Sequence, residues 1–282
     1  MATHRTHGRV ARWCAALGGS RSGDYAGRAC PESRRARENR ALLTRIQAVH
    51  PEAREAYGAV TTWRVLRAQG VACGRHRVAR LRRAHGIEAR RRRRFRLAYT
   101  ARTSAPAAPN LVDRQGHAPA PNRIWAGEIT VIPTRQGWLS LAVVLDLSSR
   151  RIVGWAMSAR PDSHLVLDAL TMALTHRRPA PGVIYHSDQG IPSSSGVYQA
   201  RLKTSGLVPS MSRKGNCYDN AVVENVFRSL KNEGTDHETF PDRDQAQMAL
   251  FAYIELFYNR QRIHAPLDDQ TPEPYERRRA RA

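Results

Sequence analysis

The sequence predicts an α/β fold, a mixed five-stranded sheet with flanking helices, preceded by an all-α region. Three observations support this division. Apolar residues recur at helical spacing in the first 90 residues, an Ala- and Pro-rich segment follows, and runs typical of strands then alternate with helical patterns. The 282 residues suffice for one large or two modest domains.

Three helices are predicted before residue 90. The segment ENRALLTRIQA, residues 38–48, has one apolar face, and its helix is expected to stop before Pro51. Two further helices flank Gly70 and Gly74 with helix-turn-helix spacing, over about residues 55–90. In the second of them, Val78 and Leu81 are expected to face inward.

Basic residues surround that apolar face and continue into the run 90–96. They are Arg75, Arg77, Arg80, Arg82, Arg83, Arg91, Arg92, Arg93 and Arg94. A helix in a DNA groove needs such cations for phosphate contacts, whereas an isolated charge run is more often a solvated face. The helix pair beside the run favours DNA here.

The net charge is concentrated in the same part of the chain. The whole chain carries +22, and residues 1–110 contribute 25 basic and 6 acidic side chains, or +19. A charge of this size indicates a polyanionic partner. No apolar run reaches the roughly 18 residues of a membrane-spanning helix, and no signal peptide is apparent, so a cytoplasmic protein is expected.

Residues 101–121 are predicted to be a linker because Ala and Pro dominate TSAPAAPN and HAPAPN. The predicted domains are therefore a helical DNA-binding region, 1–100, and a second, α/β domain, 122–282. Four cysteines without a CxxC pair make a disulfide framework and structural zinc improbable.

Five strands and four helices are predicted after the linker. EITVIP, WLSLAVVLDL and RIVGWAMS read as an antiparallel meander, and GVIYHSD and VPSMS as further strands. Helices are predicted for SHLVLDALTMALTH, SSSGVYQARLKTSG, AVVENVFRSLKNE and DRDQAQMALFAYIELFYNRQ. The third is expected to be capped by Asp219 or Asn220, and the fourth by Asp242.

Three acids occupy apolar surroundings. Glu128 begins a strand, Asp188 ends another, and Glu224 lies on a helix with an apolar face. Clustered carboxylates repel one another unless a cation binds, and carboxylate oxygens suit Mg²⁺ or Mn²⁺. Two such ions can hold both the attacking and the leaving oxygen of a phosphodiester. Any one of these acids alone would more often be an exposed or capping residue.

The motifs around these acids resemble a known family. HSDQG contains Asp188, SRKGNCYDNAVVENVFRSLKNE contains Glu224, and 35 residues separate the two acids. With NRIWAGEITVIPT, FYNRQRIHAPL and the upstream YGAVTTWRVLRAQGVACGRHRVARL, they are similar to transposases of the insertion-sequence-three family. The resemblance implies an RNase-H-like, retroviral-integrase-like core and two divalent ions. It also implies cleavage at terminal inverted repeats and transfer of a 3′-hydroxyl end to target DNA.

The same resemblance implies that Glu128, Asp188 and Glu224 are the metal-binding, catalytic carboxylates. Glu128 stands where the family has aspartate, and a misplacement of about 1 Å can cost roughly a hundredfold in rate. If the first two strands pair about the TRQG turn, residue 128 lies opposite 143, and Asp146 points to the other face. After Asp188 the family shows a polar and an aromatic residue that this chain lacks.

Four neighbouring residues are further candidates. Arg228 and Lys231 follow Glu224 on one helix face and are expected to hold DNA phosphates, with a salt-bridged face as the alternative. His186 either assists the site or is a satisfied strand histidine, and Asn220 either assists or caps.

Three functions remain open at this stage. The first is a transposase acting on double-stranded DNA as a homo-oligomer, in the bacterial cytoplasm at the nucleoid. The family resemblance adds a partner protein encoded in an upstream frame. The second is a catalytically silent protein that binds element ends or represses transposition. The third is a general RNase-H-like nuclease, which would not need so basic an N-terminal half.

Overall fold

The structure is a computed structural model that describes residues 10–29, 32–90, 108–113, 116–213 and 220–279. Predictions for Arg91, Arg92, Arg93 and Arg94, for Asp219 and for linker residues 101–107 and 114–115 lie outside these residues. The N-terminal part contains helices α1 (Val10–Ala16), α2 (Arg21–Ala29), α3 (Arg34–Glu52), α4 (Ala59–Ala68) and α5 (Arg75–Ala84).

Helices α3, α4 and α5 pack around one small apolar core. Leu42, Ile46, Leu66, Val78 and Leu81 are buried in it, which confirms the inward faces predicted for α5. The prediction that α3 stops before Pro51 is wrong by two residues, because the helix ends at Glu52. A proline so close to the helix end removes a single backbone hydrogen bond, which the last turn tolerates.

Arg82 requires a larger correction. Its side chain is buried, donating from Nη1 to Thr62 Oγ1 at 3.0 Å and from Nη2 to the carbonyl O of Tyr57 at 2.9 Å. This arginine therefore ties α5 to α4 and to the preceding loop and cannot reach a DNA phosphate. Helical spacing could not distinguish it from its exposed neighbours, because Arg82 lies at the edge of the apolar face.

The second part is built on a mixed five-stranded sheet in the order β3-β2-β1-β4-β5. Its strands are β1 (Ile124–Thr134), β2 (Gly137–Asp146), β3 (Ile152–Ser158), β4 (Ile184–Ser187) and β5 (Val208–Met211). The first three form the predicted antiparallel meander, and β4 and β5 join parallel to β1. The predicted α/β class is confirmed.

Helices cover both faces of this sheet. They are α6 (Ser163–Arg177), α7 (Ile191–Ser194), α8 (Gly196–Thr204), α9 (Ala221–Leu230), α10 (Arg243–Phe251) and α11 (Pro272–Arg279). Side chains of α6 and α8 pack with Trp125 on one face, and those of α9 and α10 pack with Ile132 and Val143 on the other. Among the described residues, none of the helices is long and apolar enough to cross a bilayer.

Helices α9 and α10 differ from the last two helices that the sequence predicts. Helix α9 continues as a π-helical turn, Lys231–Thr235, and α10 continues as a longer π-helical segment, Ala252–Tyr258. Asp242 caps α10 as predicted, accepting the backbone N–H of Gln245 at 2.8 Å. Apolar spacing does not separate α from π turns, and π turns often mark functional sites.

A close approach of β3 to α6 depends on Gly154. A Cβ added there would lie 2.7 Å from the backbone N of Ala173 and closer still to the carbonyl O of Ala169. Gly154→Ala is therefore expected to lower the free energy of unfolding by about 1–3 kcal/mol. Chemical denaturation with Gly196→Ala as control tests this, because a Cβ at Gly196 meets open space. Equal stability of the two variants would contradict the close packing.

Candidate active site

The middle of β1 positions the first acid. Glu128 lies opposite Val143 of β2, the predicted register, and its neighbours Ala126 and Ile132 belong to the core under α9. On the other edge, β1 pairs in parallel with β4 up to Gly127 and Ser187. The next residues along the two strands are Glu128 and Asp188, so the strand pairing brings these acids side by side.

Gly127 allows this arrangement. A Cβ at this position would lie 2.7 Å from Cζ of Tyr185 and closer still to the hydroxyl oxygen, so the ring of Tyr185 occupies the space of a side chain. Tyr185 in turn packs edge to face against Tyr198, with ring centroids 5.9 Å apart. Two buried rings thereby support the face of the sheet opposite the acids.

The carboxyl group of Glu128 is in an unfavourable environment for a charge. Its Oε2 is buried and has no hydrogen-bond partner. Burial, together with the negative charges of Asp188 and Glu224, raises the pKa of Glu128 well above its usual value, and Lys231 partly offsets this effect. Asp188 and Glu224 therefore lie close enough to Glu128 to act on its charge.

Asp188 is exposed at the end of β4 and is held by the segment that follows it. Its Oδ1 accepts the backbone N–H of Gly190 at 3.1 Å and the hydroxyl of Ser193 at 3.3 Å. The segment 191–193 is the one in which a polar contact of the family pattern is predicted to be absent. Ser193 supplies one from the first turn of α7.

Glu224 and Lys231 come from the helix above the sheet. Helix α9 buries Val223, Val226 and Phe227 in the core, which leaves Glu224 half-buried beside the strand ends. Lys231 begins the π-helical turn, and its pKa is lowered by burial against the opposing effects of Asp236 and Glu128. Its proximity to Glu128 agrees with the predicted return to the same helix face.

The donor set fits a hard divalent cation. It consists of carboxylates, the oxygen ligands that Mg²⁺ and Mn²⁺ prefer, and includes an oxygen, Glu128 Oε2, that has no partner. Within the described ranges, no group of three or more His, Cys, Asp or Glu side chains lies close enough together to hold a metal ion as the side chains stand.

Asp146 does not belong to this site. It pairs with Trp125 on the opposite face, and its carboxylate accepts the backbone N–H groups of Asn122, Ser148 and Ser149 at 2.7–3.0 Å. The register between β1 and β2 is regular, so no bulge reverses its direction. Its role is to fix the β2–β3 turn.

The two accessory candidates are both buried. His186 contacts Ser210 Oγ at 2.9 Å through Nδ1 and Ser212 Oγ at 3.1 Å through Nε2, which favours the alternative of a satisfied strand histidine. Asn220 stands at the N-cap position of α9 but makes no capping hydrogen bond, so capping by Asn220 is wrong, and the alternative, Asp219, lies outside the described residues. Among the described residues, neither Oδ1 nor Nδ2 of Asn220 finds a hydrogen-bond partner.

The predicted DNA-contacting residues divide by exposure. Arg75, Arg80, Arg83 and Arg228 are exposed. Arg77 is half-buried and donates from Nε to Asn39 Oδ1 at 2.7 Å. Because Arg82 is buried, the basic surface of α5 is smaller than predicted.

Sequence reasoning missed a buried ionic cluster behind α9. Arg262 donates to both carboxylate oxygens of Glu233 at 2.8–3.0 Å and to Ser229 Oγ at 2.9 Å, and Tyr253 donates to Glu233 Oε2 at 2.7 Å. The backbone N–H of Ile263 donates to the hydroxyl of Tyr57, which links this cluster to the N-terminal helices. The partners lie some 30 residues apart in sequence, so no local pattern predicts them.

His264 adds a pH dependence to this cluster. Burial and the cations Arg262 and Arg150 lower its pKa to about 2, so it is neutral in the folded protein. The unfolded chain binds the extra proton below about pH 6.5, and stability therefore falls as the pH drops through that value. Well below pH 6.5, this one group lowers the free energy of unfolding by at most about 1.4 kcal/mol per pH unit.

His264→Gln is expected to weaken this loss between pH 7.5 and 5.5, measured as the free energy of unfolding by urea. The matched control is His176→Gln, at an exposed position of α6. An unchanged pH dependence in His264→Gln, equal to that of the control, would contradict a buried neutral His264.

Family models match both parts of the chain. A model described as an HTH-like domain matches residues 36–95, and models described as an integrase core domain match residues 118–217 and 224–279. Among solved structures, the HTLV-2 integrase catalytic core domain in complex with magnesium is 18% identical. Its TM-score is 0.44, and the match covers 57% of this chain and 99% of that chain.

Three relatives span most of the chain. The uncharacterized 31 kDa protein of insertion element IS600 from Shigella sonnei is 39% identical, over 92% of this chain and 95% of that protein. The transposase of IS904 from Lactococcus lactis is 40% identical over 85% and 95%. The transposase InsF of IS3 from Escherichia coli is 42% identical over 82% and 80%. This chain therefore belongs to the family of IS3-type insertion-sequence transposases, with an HTH-like region and an integrase core.

Proposed function

We propose that Glu128, Asp188 and Glu224 together bind two divalent ions, Mg²⁺ or Mn²⁺, and that this site cleaves and joins DNA strands during transposition. The observation that carries the proposal is the buried carboxyl of Glu128, whose Oε2 has no hydrogen-bond partner and whose pKa is raised by burial, Asp188 and Glu224. The cost of burying Glu128 beside two like charges falls when a cation lies between them.

The residues around the acids supply positioning. When bound, the metal ions would activate the attacking oxygen and stabilise the leaving oxygen of the phosphodiester. Ser193 and the N–H of Gly190 orient Asp188, and the hydrophobic face of α9 fixes Glu224. Lys231 supplies a positive charge beside Glu128, and exposed Arg228 is placed to contact a DNA phosphate.

The helical region is proposed to hold the terminal inverted repeats through the exposed arginines of α5, with target DNA at the carboxylates. Residues 101–121 would separate this region from the catalytic domain. We further propose a homo-oligomer acting at the bacterial nucleoid, with an upstream-frame protein as a second partner.

One observation favours a catalytically silent, end-binding protein as a second candidate. Glu128 extends one methylene further than aspartate, and its Oε2 is buried without a partner. Mg²⁺ requires nearly ideal octahedral geometry, so a displaced carboxylate weakens the site.

Cleavage of a labelled duplex carrying the element end distinguishes these candidates. With Mn²⁺ or Mg²⁺, the protein is expected to release a 3′ end and join it to target DNA, and Asp188→Ala is expected to abolish both steps. Glu128→Asp is expected to react faster, by up to about a hundredfold, because it restores the shorter carboxylate.

The control is Asp244→Ala, an exposed acid on α10 that should leave the rate unchanged. Cleavage that survives in Asp188→Ala would contradict the assignment of the acids. Cleavage by Glu128→Asp alone, with end binding by both proteins, would favour the silent candidate.

A further inference from the structure

A cavity of about 450 Å³ lies between the N-terminal helices and the catalytic core. Tyr57, Thr61 and Arg64 line it from the N-terminal side. The opposite wall contains residues of α9, among them Arg228 and Ser229, and residues of the segment around Arg262. Because α9 also carries Glu224, this cavity is adjacent to the carboxylate site but has a different set of lining residues.

Among the described residues, two of the four arginines that line the cavity form no ion pair. Arg262 is paired with Glu233 at 2.8 Å, and Arg64 is paired with Asp269 at 3.1 Å. Arg150 and Arg228 also line the cavity, and neither forms a salt bridge with a described carboxylate, although the charge of Asp146 acts on Arg150. His264, which lines it too, is neutral. The wall therefore carries an excess of positive charge.

Arg150 is the residue that most requires an explanation. It lies in the turn between β2 and β3 with a left-handed backbone, φ 58°, which is uncommon for a residue with a side chain. Its Nε and Nη1 are buried, and neither has a hydrogen-bond partner. Buried guanidinium donors without acceptors are costly, and native proteins normally satisfy them with protein groups, water or an ion.

We propose that this cavity binds a phosphate group of the DNA backbone, held by Arg150 and Arg228. The inference rests on the proposed function in one respect, that DNA is the ligand of both parts of the chain. A phosphodiester matches the chemistry, because guanidinium groups form paired, charge-assisted hydrogen bonds with phosphate oxygens.

The position of the cavity favours DNA over a free anion. One wall belongs to the helical region whose α5 exposes Arg75, Arg80 and Arg83, and the other belongs to the helix that carries Glu224. A backbone phosphate bound here would therefore fix the DNA relative to both the helical region and the carboxylates. Sequence analysis singled out Arg228 but gave no indication of Arg150.

The test is the salt dependence of duplex DNA binding by the full chain, measured by fluorescence anisotropy in EDTA. Each phosphate contact contributes about 0.9 to the slope of log K against log salt. Arg150→Gln is expected to lower the slope by about that amount. The matched control, Arg178→Gln, also removes an arginine with a left-handed backbone, φ 42°, at the exposed end of α6, and should keep the wild-type slope.

A slope and affinity equal to those of Arg178→Gln would overturn the inference. If Arg150→Gln fails to fold by circular dichroism, Arg150→Met decides, because it removes the same charge while keeping a long unbranched side chain. It is expected to lose the same increment, and an unchanged slope would overturn the proposal.

Inorganic phosphate separates the two possible sources of the anion. If phosphate raises the melting temperature in an Arg150-dependent way while the DNA slope is unchanged, the occupant is a free oxyanion and the DNA proposal fails. Because these measurements need no metal and no cleavage, a loss of the proposed catalysis would leave their outcome unaffected. A reduced slope in a protein that does not cleave DNA would support the phosphate site alone.

Discussion

Pairing of β1 on both edges is the constraint on which the rest of the structure depends. Antiparallel pairing to β2 sets Glu128 opposite Val143, and parallel pairing to β4 brings Asp188 alongside. The apolar face of α9, packed on the same side of the sheet, then adds Glu224. The backbone thus brings like charges near one another, and a cation bound between them would lower the cost of this arrangement.

The strands, their register and the direction of Asp146 could be predicted because apolar alternation and one short turn determine them. The burial of Arg82 could not be predicted, since its partners, Thr62 and the carbonyl of Tyr57, are placed only by tertiary packing. The π-helical turns escaped prediction for a different reason, because their apolar spacing resembles that of an α-helix. No sequence pattern indicated that the hydroxyl of Ser193 donates a hydrogen bond to Asp188.

Contacts between the two parts of the chain come from the loop before α4 and from Arg64 of α4, which pairs with Asp269. Arg54 lies over the rings of Tyr253 and Phe257, with centroid distances of 5.3 and 5.2 Å, and Tyr57 accepts the N–H of Ile263. These contacts converge on the cluster of Glu233 and Arg262, which lies directly after α9. The N-terminal region therefore docks against the π-helical segment that follows α10 and against the chain at Ile263.

Binding of Mn²⁺ without DNA tests the central claim most directly, because it depends on the converging acids and not on substrate. Electron paramagnetic resonance of free Mn²⁺ would compare the wild-type chain with Glu128→Gln, which keeps the side-chain shape, and with Glu238→Gln, an exposed control. The account predicts that Glu128→Gln weakens binding at least about tenfold and that the control does not. Equal Mn²⁺ affinity in all three proteins would contradict it.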